Sequence, residues 1–172
     1  MLQTMTSPVE NLYDAHASAL FAFLLNFTRH EADTRDLLQE LFIKLARQPA
    51  LLESIRDERA FLLRLAHNLA IDLMRRRGTR EKNHDQFVSE SASAFAPSGD
   101  PDAAAFRAAL AAALGELPAD QRAIVHLKLW EGLTFEAIAA TLDIPPNTAA
   151  SRYRYGLDKL RARLRPLYDE IK

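Results

Sequence analysis

The apolar positions of this chain recur at helical spacing almost throughout, and between Thr134 and Leu164 they do so twice with a break between. Phe135, Ile138, Ala139 and Leu142 fall at i, i+3, i+4 and i+7, which is one buried face of a short helix. Thr134 is suited to cap its N-terminus, with Glu136 in the first turn. In Asp143-Ile144-Pro145-Pro146 the second proline suits a first helical position and forces the first out of the α region, so the chain stops and restarts there. From Pro146, at about 100° per residue, Ala149, Tyr153, Leu157, Leu160 and Leu164 share one side of a second helix. Asn147, Ser151, Arg154, Tyr155 and Asp158 share the other. A short helix, a proline-marked turn and a longer basic helix form the helix-turn-helix pattern of a major-groove reader.

Helical spacing also predicts helices over about Val9 to Thr28, Ala32 to Arg47, Arg59 to Arg77, Ala103 to Leu114 and Ala119 to Trp130. No segment shows strand alternation. From about Gly78 to Asp102 the periodicity lapses into a stretch of Ser, Ala, Pro, Gly and acids with little to bury, which reads as a linker. The expected fold is all-α: two small helical domains joined by a flexible linker, the C-terminal one containing the helix-turn-helix. The domain boundaries are 1–78, 79–102 and 103–172.

Two N-terminal helices carry polar faces of interest. In the segment from Asp36 to Arg47, Leu37, Leu38, Leu41, Phe42 and Leu45 face one way, and Asp36, Gln39, Glu40, Ile43, Lys44 and Arg47 face the other. A solvated face accounts for all of the latter except Ile43; a partner-binding face accounts for Ile43 as well. In the segment from Phe61 to Arg77 the core stripe is Leu62, Leu65, Ala66, Leu69 and Leu73. The opposite face carries Arg64, Asn68 and Arg75, with Phe61 at its edge. Aromatic, basic and amide groups in line, ending in Arg75, Arg76 and Arg77, suit a nucleic-acid strand whose bases are unstacked. A helix C-terminus also favours cations without any partner, so both readings stand at this point.

Composition narrows the class. The 172 residues carry a net charge of -1, but the charge is segregated: Arg75 to Lys82 holds five basic residues against one acid, and Arg152 to Arg165 holds six against one. The absence of cysteine removes disulfide frameworks and thiolate zinc sites. Nothing resembles a signal peptide, and no apolar run reaches the ~18 residues of a membrane span, so a soluble cytoplasmic protein without membrane insertion is expected. There is no P-loop, no HExxH and no close nucleophile-base pair, and His16, His30, His67, His84 and His126 are scattered singly. Neither catalysis nor a cofactor or metal is expected.

The order of parts, DLLQELF as DxxQExF, then AFLLRLAHNLAIDLMRRR, a polar linker, and LPADQRAIVHLKLWEGLTFEAIAATLDIPPNTAASRYRYGLDKLR, resembles the extracytoplasmic-function (ECF) group of bacterial RNA polymerase sigma factors, in the sigma-70 family. The resemblance spans about residues 9 to 165. It implies a factor that directs core RNA polymerase to promoters and aids melting. The DxxQExF helix is similar to the one that docks on the β′ clamp helices, which makes Asp36, Gln39, Glu40, Ile43 and Lys44 the expected core-binding face; the β subunit is a further expected contact. The next helix resembles the one that captures the unpaired -10 strand, with Asn68 near a pocket for a flipped base and Phe61, Arg64, Arg75, Arg76 and Arg77 around it. In the C-terminal domain the resemblance directs Ser151, Arg154 and Tyr155 to -35 base edges and Asn147, Thr148 and Arg152 to the backbone. The linker, with Glu90, Asp100 and Asp102, is similar to the segment that threads the polymerase cleft, and an anti-sigma protein is a partner the resemblance allows. Two departures stand out: Ala150 occupies a position where the family often has a cation, and Phe61 is followed by Leu62 and Leu63 where further aromatics are common.

Two other classes compete. A stand-alone helix-turn-helix regulator explains residues 134 to 164 but not the DxxQExF face. A helical protein that sequesters a regulator and binds no DNA leaves both basic clusters unexplained.

Overall fold

The structure is a computed structural model that describes residues 7–78 and 101–170. Eight helices follow in order among the described residues: α1 (Pro8–Thr28), α2 (Glu31–Arg47), α3 (Ala50–Glu53), α4 (Glu58–Gly78), α5 (Pro101–Glu116), α6 (Ala119–Leu129), α7 (Phe135–Leu142) and α8 (Pro146–Glu170). The described residues contain no strand. All seven longer helices match those predicted, with bounds shifted by a few residues. The single turn of α3 lacks a periodic signal because four residues are too few to show one.

Local chemistry sets the helix ends. Ser7 and Glu10 form a capping box ahead of Pro8, with the Ser7 N–H donating to Glu10 Oε2 at 2.8 Å. His30 Nδ1 accepts from the Asp33 N–H at 3.2 Å and caps α2. Asp57 Oδ1 accepts from the Ala60 N–H at 3.0 Å at the start of α4. Thr134 caps α7 as its position predicts, its Oγ accepting from the Ala137 N–H at 3.1 Å. α7 ends at Asp143 in the left-handed region, φ 54°, and Pro146 opens α8.

In the N-terminal half α1, α2 and α4 pack mutually around Leu20, Phe23, Leu24, Phe27, Leu41, Leu45 and Leu62, all at most 2% exposed. In the C-terminal half α8 is the hub, packed against α5, α6 and α7. Gly156 allows that packing: a Cβ there would lie 2.9 Å from Val125 Cγ2 of α6, closer than real Cβ contacts come. The halves also pack on each other, α1 against α6 and α4 against α7. One continuous apolar cluster therefore runs from Leu24 and Phe27 through Ala123, Ile124 and Leu127 to Ile138 and Ala149.

That contact explains a difference in α4. The sequence assigns its core stripe to Leu62, Leu65, Ala66, Leu69 and Leu73, but the fully buried positions are Leu62, Leu63, Ala66 and Ala70, and Leu65, Leu69 and Leu73 are half-buried. The buried face is rotated because α4 packs against two sets of neighbours, α1 and α2 on one side and α7 on the other.

Candidate nucleic-acid interface

On α2 every predicted assignment of side holds. Leu37, Leu38, Leu41, Phe42 and Leu45 are buried, while Asp36, Gln39, Glu40, Ile43 and Lys44 are exposed. Ile43 is 49% exposed, a large apolar side chain held out by a rigid helix among carboxylate and amide groups.

On α4, Arg64, Asn68, Arg75 and Arg76 are exposed and Phe61 is half-buried. Phe61, Arg64 and Asn68 recur at i, i+3 and i+7, so one face presents an aromatic ring, a guanidinium and an amide in line. The Arg64 guanidinium stands 5.8 Å from the Phe61 ring centroid. These three side chains meet Lys44, Gln48, Leu51 and Leu65 around an open hollow of about 300 Å³, a volume at the low end of small-ligand sites and suited to one unstacked base. The sequence had assigned no role to Gln48 or Leu51, and had placed Leu65 in the core stripe rather than beside a hollow. Gln48 caps the C-terminus of α2 and Leu51 lies in α3, so only the turn between α2 and α4 brings them to Asn68.

Arg77 is placed differently from its neighbours. It folds back to form a bidentate ion pair with Asp33, with the second contact, Nη2 to Oδ1, at 2.6 Å. Asp33 is buried at the start of α2, where a carboxylate also meets the positive end of the helix. Arg77 thus ties the end of α4 to the start of α2.

On α8 the buried side consists of Ala149, Gly156 and Leu160, with Tyr153, Leu157 and Leu164 packed against the core. Asn147, Arg154 and Tyr155 are exposed, Tyr155 at 54%. Thr148, Ser151 and Arg152 are half-buried. The Arg154 guanidinium lies 5.4 Å from the Tyr155 ring centroid, which keeps both on the outer face. Ser151 Oγ donates to the Thr148 carbonyl at 3.1 Å, and Arg152 Nε lies 3.2 Å from Asp120 Oδ2 of α6. Further along, Arg163 pairs with Glu116 at the end of α5, and its guanidinium holds the Glu116 carboxyl below the ordinary carboxylate value. Not every arginine of the basic run is therefore free to meet a phosphate. Among the linker acids, Glu90 and Asp100 fall outside the described residues, as does the side chain of Asp102.

No group of three or more His, Asp or Glu able to hold a metal ion occurs among the described residues. None of the described helices is long and apolar enough to cross a membrane. The site consists of an exposed carboxylate-amide face on α2, a hollow beside α4 and a polar-aromatic face on α8.

Comparisons with known proteins bear on the family and the fold. Residues 12–80 match the family described as Sigma-70 region 2, and residues 107–160 match Sigma-70, region 4. The ECF RNA polymerase sigma factor SigL of Mycobacterium tuberculosis is 32% identical over 158 residues, covering 91% of this chain and 88% of that protein. RNA polymerase sigma factor CarQ of Myxococcus xanthus is 32% identical over 164 residues, covering 94% and 92%. The fold is similar to that of the sigma factor RpoE from Bartonella quintana, co-crystallised with the anti-sigma factor NepR. The TM-score is 0.73 at 23% identity, covering 91% of this chain and 96% of that one.

Proposed function

The chain belongs to the sigma-70 family as an RNA polymerase sigma factor of the ECF group, and from that premise we propose how its surfaces divide the work. Residues 1–78 act as the domain that binds core polymerase and the -10 element, 79–102 as the linker and 103–172 as the -35 reader. Asp36, Gln39, Glu40 and Lys44, with Ile43 as the apolar anchor, dock on the β′ clamp helices, and the β subunit is a second contact. Unpaired -10 bases lie along α4: Asn68 hydrogen-bonds a base flipped into the adjoining hollow, Phe61 stacks, and Arg64, Arg75, Arg76 and Arg77 hold phosphates. Arg77 must first exchange Asp33 for a phosphate, so its contribution is smaller than that of Arg76. Ser151, Arg154 and Tyr155 meet -35 base edges in the major groove, and Asn147, Thr148 and Arg152 meet the backbone.

The mechanism requires no catalytic group in this chain. Bases captured in the hollow and contacts to polymerase stabilise the melted promoter, and the polymerase performs the chemistry. The proposed work on promoter DNA gives the chain a cytoplasmic location. An anti-sigma protein is a further proposed partner, because the similarly folded RpoE chain was crystallised with one.

The observation that carries the site assignment is the convergence of Phe61, Arg64 and Asn68 on one hollow at the surface of α4. Run-off transcription on genomic fragments, with this protein and core polymerase, is the test. A specific core-dependent start is expected. Transcripts with no specific start would remove the reading, and specific DNA binding unaffected by polymerase would favour a stand-alone regulator.

A further inference from the structure

The face of α4 that carries Phe61, Arg64 and Asn68 also carries an acid. α4 buries Leu62, Leu63, Ala66 and Ala70, and the phase of those four sets the side that points away from the core. At about 100° per residue, Phe61, Leu65, Asn68 and Asp72 fall within about 60° of one another on that outer side. Asp72 is exposed and stands one turn beyond Asn68. Arg75 and Arg76 flank it, about 60° to one side and about 40° to the other.

The flanking arginines stand at i+3 and i+4, the spacings at which opposite charges pair along a helix. The Asp72 carboxylate nevertheless forms no ion pair or hydrogen bond among the described residues. Acids beside arginines are paired elsewhere: Asp33 with Arg77, Glu116 with Arg163, and Asp158, the acid on the α8 reading face, 3.7 Å from Arg161. Asp72 is thus an exposed, unpaired carboxylate in the middle of a row that otherwise offers an aromatic ring, an amide and cations.

A carboxylate is out of place on a surface that meets phosphates, because like charges repel and an ionised carboxylate can only accept hydrogen bonds. It fits a strand-binding row where it faces the donor groups of a base, with phosphates held by the arginines on either flank. Watson–Crick edges are open to such contacts only in an unpaired strand. Guanine presents N1–H and N2–H side by side there, two donors for two carboxylate oxygens. Cytosine and adenine each present one amino group beside a ring-nitrogen acceptor, so the second oxygen meets a lone pair. Thymine presents a single N–H between two carbonyls. The bidentate, charge-assisted pair is the strong one. Four residues of helix rise about 6 Å, more than the about 3.4 Å between stacked bases of one strand, so Asn68 and Asp72 are spaced for neighbouring nucleotides that are unstacked.

We propose that Asp72 is a specificity-determining residue for the melted strand. Its carboxylate accepts from N1–H and N2–H of an unpaired guanine adjacent to the base that Asn68 holds, on the side toward the α4 C-terminus, and Arg76 holds the adjoining phosphate. In the duplex that guanine edge is occupied by cytosine, so the contact forms only after melting and favours the open state. The proposal rests on the sigma-factor reading and on Asn68 as the residue that captures the flipped base.

Run-off transcription with core polymerase, on a promoter carrying each of the four bases in turn at every position of the -10 element, supplies the test. The parent chain should prefer guanine in the unpaired strand about tenfold or more at one position. Asp72→Ala should flatten that position alone, and the position flattened by Asn68→Ala should be its immediate neighbour. Asp72→Glu keeps the carboxylate on a longer arm and should retain part of the preference. Asp72→Asn adds a donor and should raise initiation from adenine relative to guanine. Circular dichroism should show each variant as helical as the parent. A parent chain with no guanine preference would overturn the proposal. So would an Asp72→Ala chain that keeps the preference, including one that loses initiation equally on all four bases, which would place Asp72 in a protein contact. In each of these cases the start remains specific and the sigma-factor reading stands, whereas a parent holoenzyme with no specific start removes both.

Discussion

At the scale of single residues, side-chain direction follows from helix phase, while the partner a side chain meets does not. Asn68 and Arg77 lie on the same helix and were assigned to the same DNA strand, yet Asn68 borders an open hollow and Arg77 is paired with Asp33. The sequence offers no signal for the second outcome, because Asp33 and Arg77 meet only when α2 and α4 are packed. Asn68→Ala is expected to weaken open-complex formation, read by permanganate footprinting, more than duplex -35 binding, read by gel shift. Equal losses in the two assays would contradict its role. His67, one position away, shows what burial does to a titratable group. Desolvation lowers its pKa below the ordinary histidine value, partly offset by a hydrogen bond with Asn68. The unfolded chain therefore takes up this proton first. The neutral ring's contribution to stability is complete above the unfolded value of about 6.5 and declines as pH falls through it toward the folded value. Thermal melts should show a drop in Tm from about pH 7.5 to about pH 5.5 that is smaller in His67→Gln. The same drop in both proteins would assign it to other groups.

At the scale of elements, the helices that pack on one side only were the legible ones. On α2 the alternation of Leu37, Leu38, Leu41, Phe42 and Leu45 with polar positions predicts the buried face residue by residue, because that helix meets the rest of the molecule along one stripe. On α4 the same reasoning selected Leu65, Leu69 and Leu73 over Leu63 and Ala70, because a helix packed on two sides has no single apolar stripe to find. Helix ends were legible where the cap lies within the chain's own local sequence, as at Thr134 and Pro146. Removing such a cap should cost a fixed, local amount: Thr134→Ala is expected to destabilise the protein by about 1 kcal/mol in urea unfolding, with no change in the dependence on urea concentration. A loss several times larger would mean that Thr134 does more than cap α7.

For the whole molecule, the shared core makes the two halves one cooperative unit despite the linker between them in sequence. The cluster running from Phe27 to Ile138, with Arg122 bound to the end of α1, couples the melting of one half to that of the other. Calorimetry should give a single transition for the intact chain. Arg122→Leu, which strips the α1 carbonyls of a charged donor from the other half, should split or broaden that transition. A single sharp transition at an unchanged temperature would show that the halves are coupled through apolar contact alone.

Helix periodicity, proline and glycine placement and the order of DxxQExF, basic helix and helix-turn-helix determined the all-α class, the helices and the faces on α2 and α8, because those are properties of neighbours a few residues apart. The tertiary structure alone decided the rotated core face of α4, the addition of Gln48 and Leu51 to the hollow, the Asp33–Arg77 pair and the packing of the two halves on each other. Each of these depends on residues from 10 to more than 70 positions apart in the sequence, brought together by burial of apolar surface that no local pattern records. His126 illustrates the division: a lone histidine in the sequence, it stands between Asn26 and Glu131 in the folded chain.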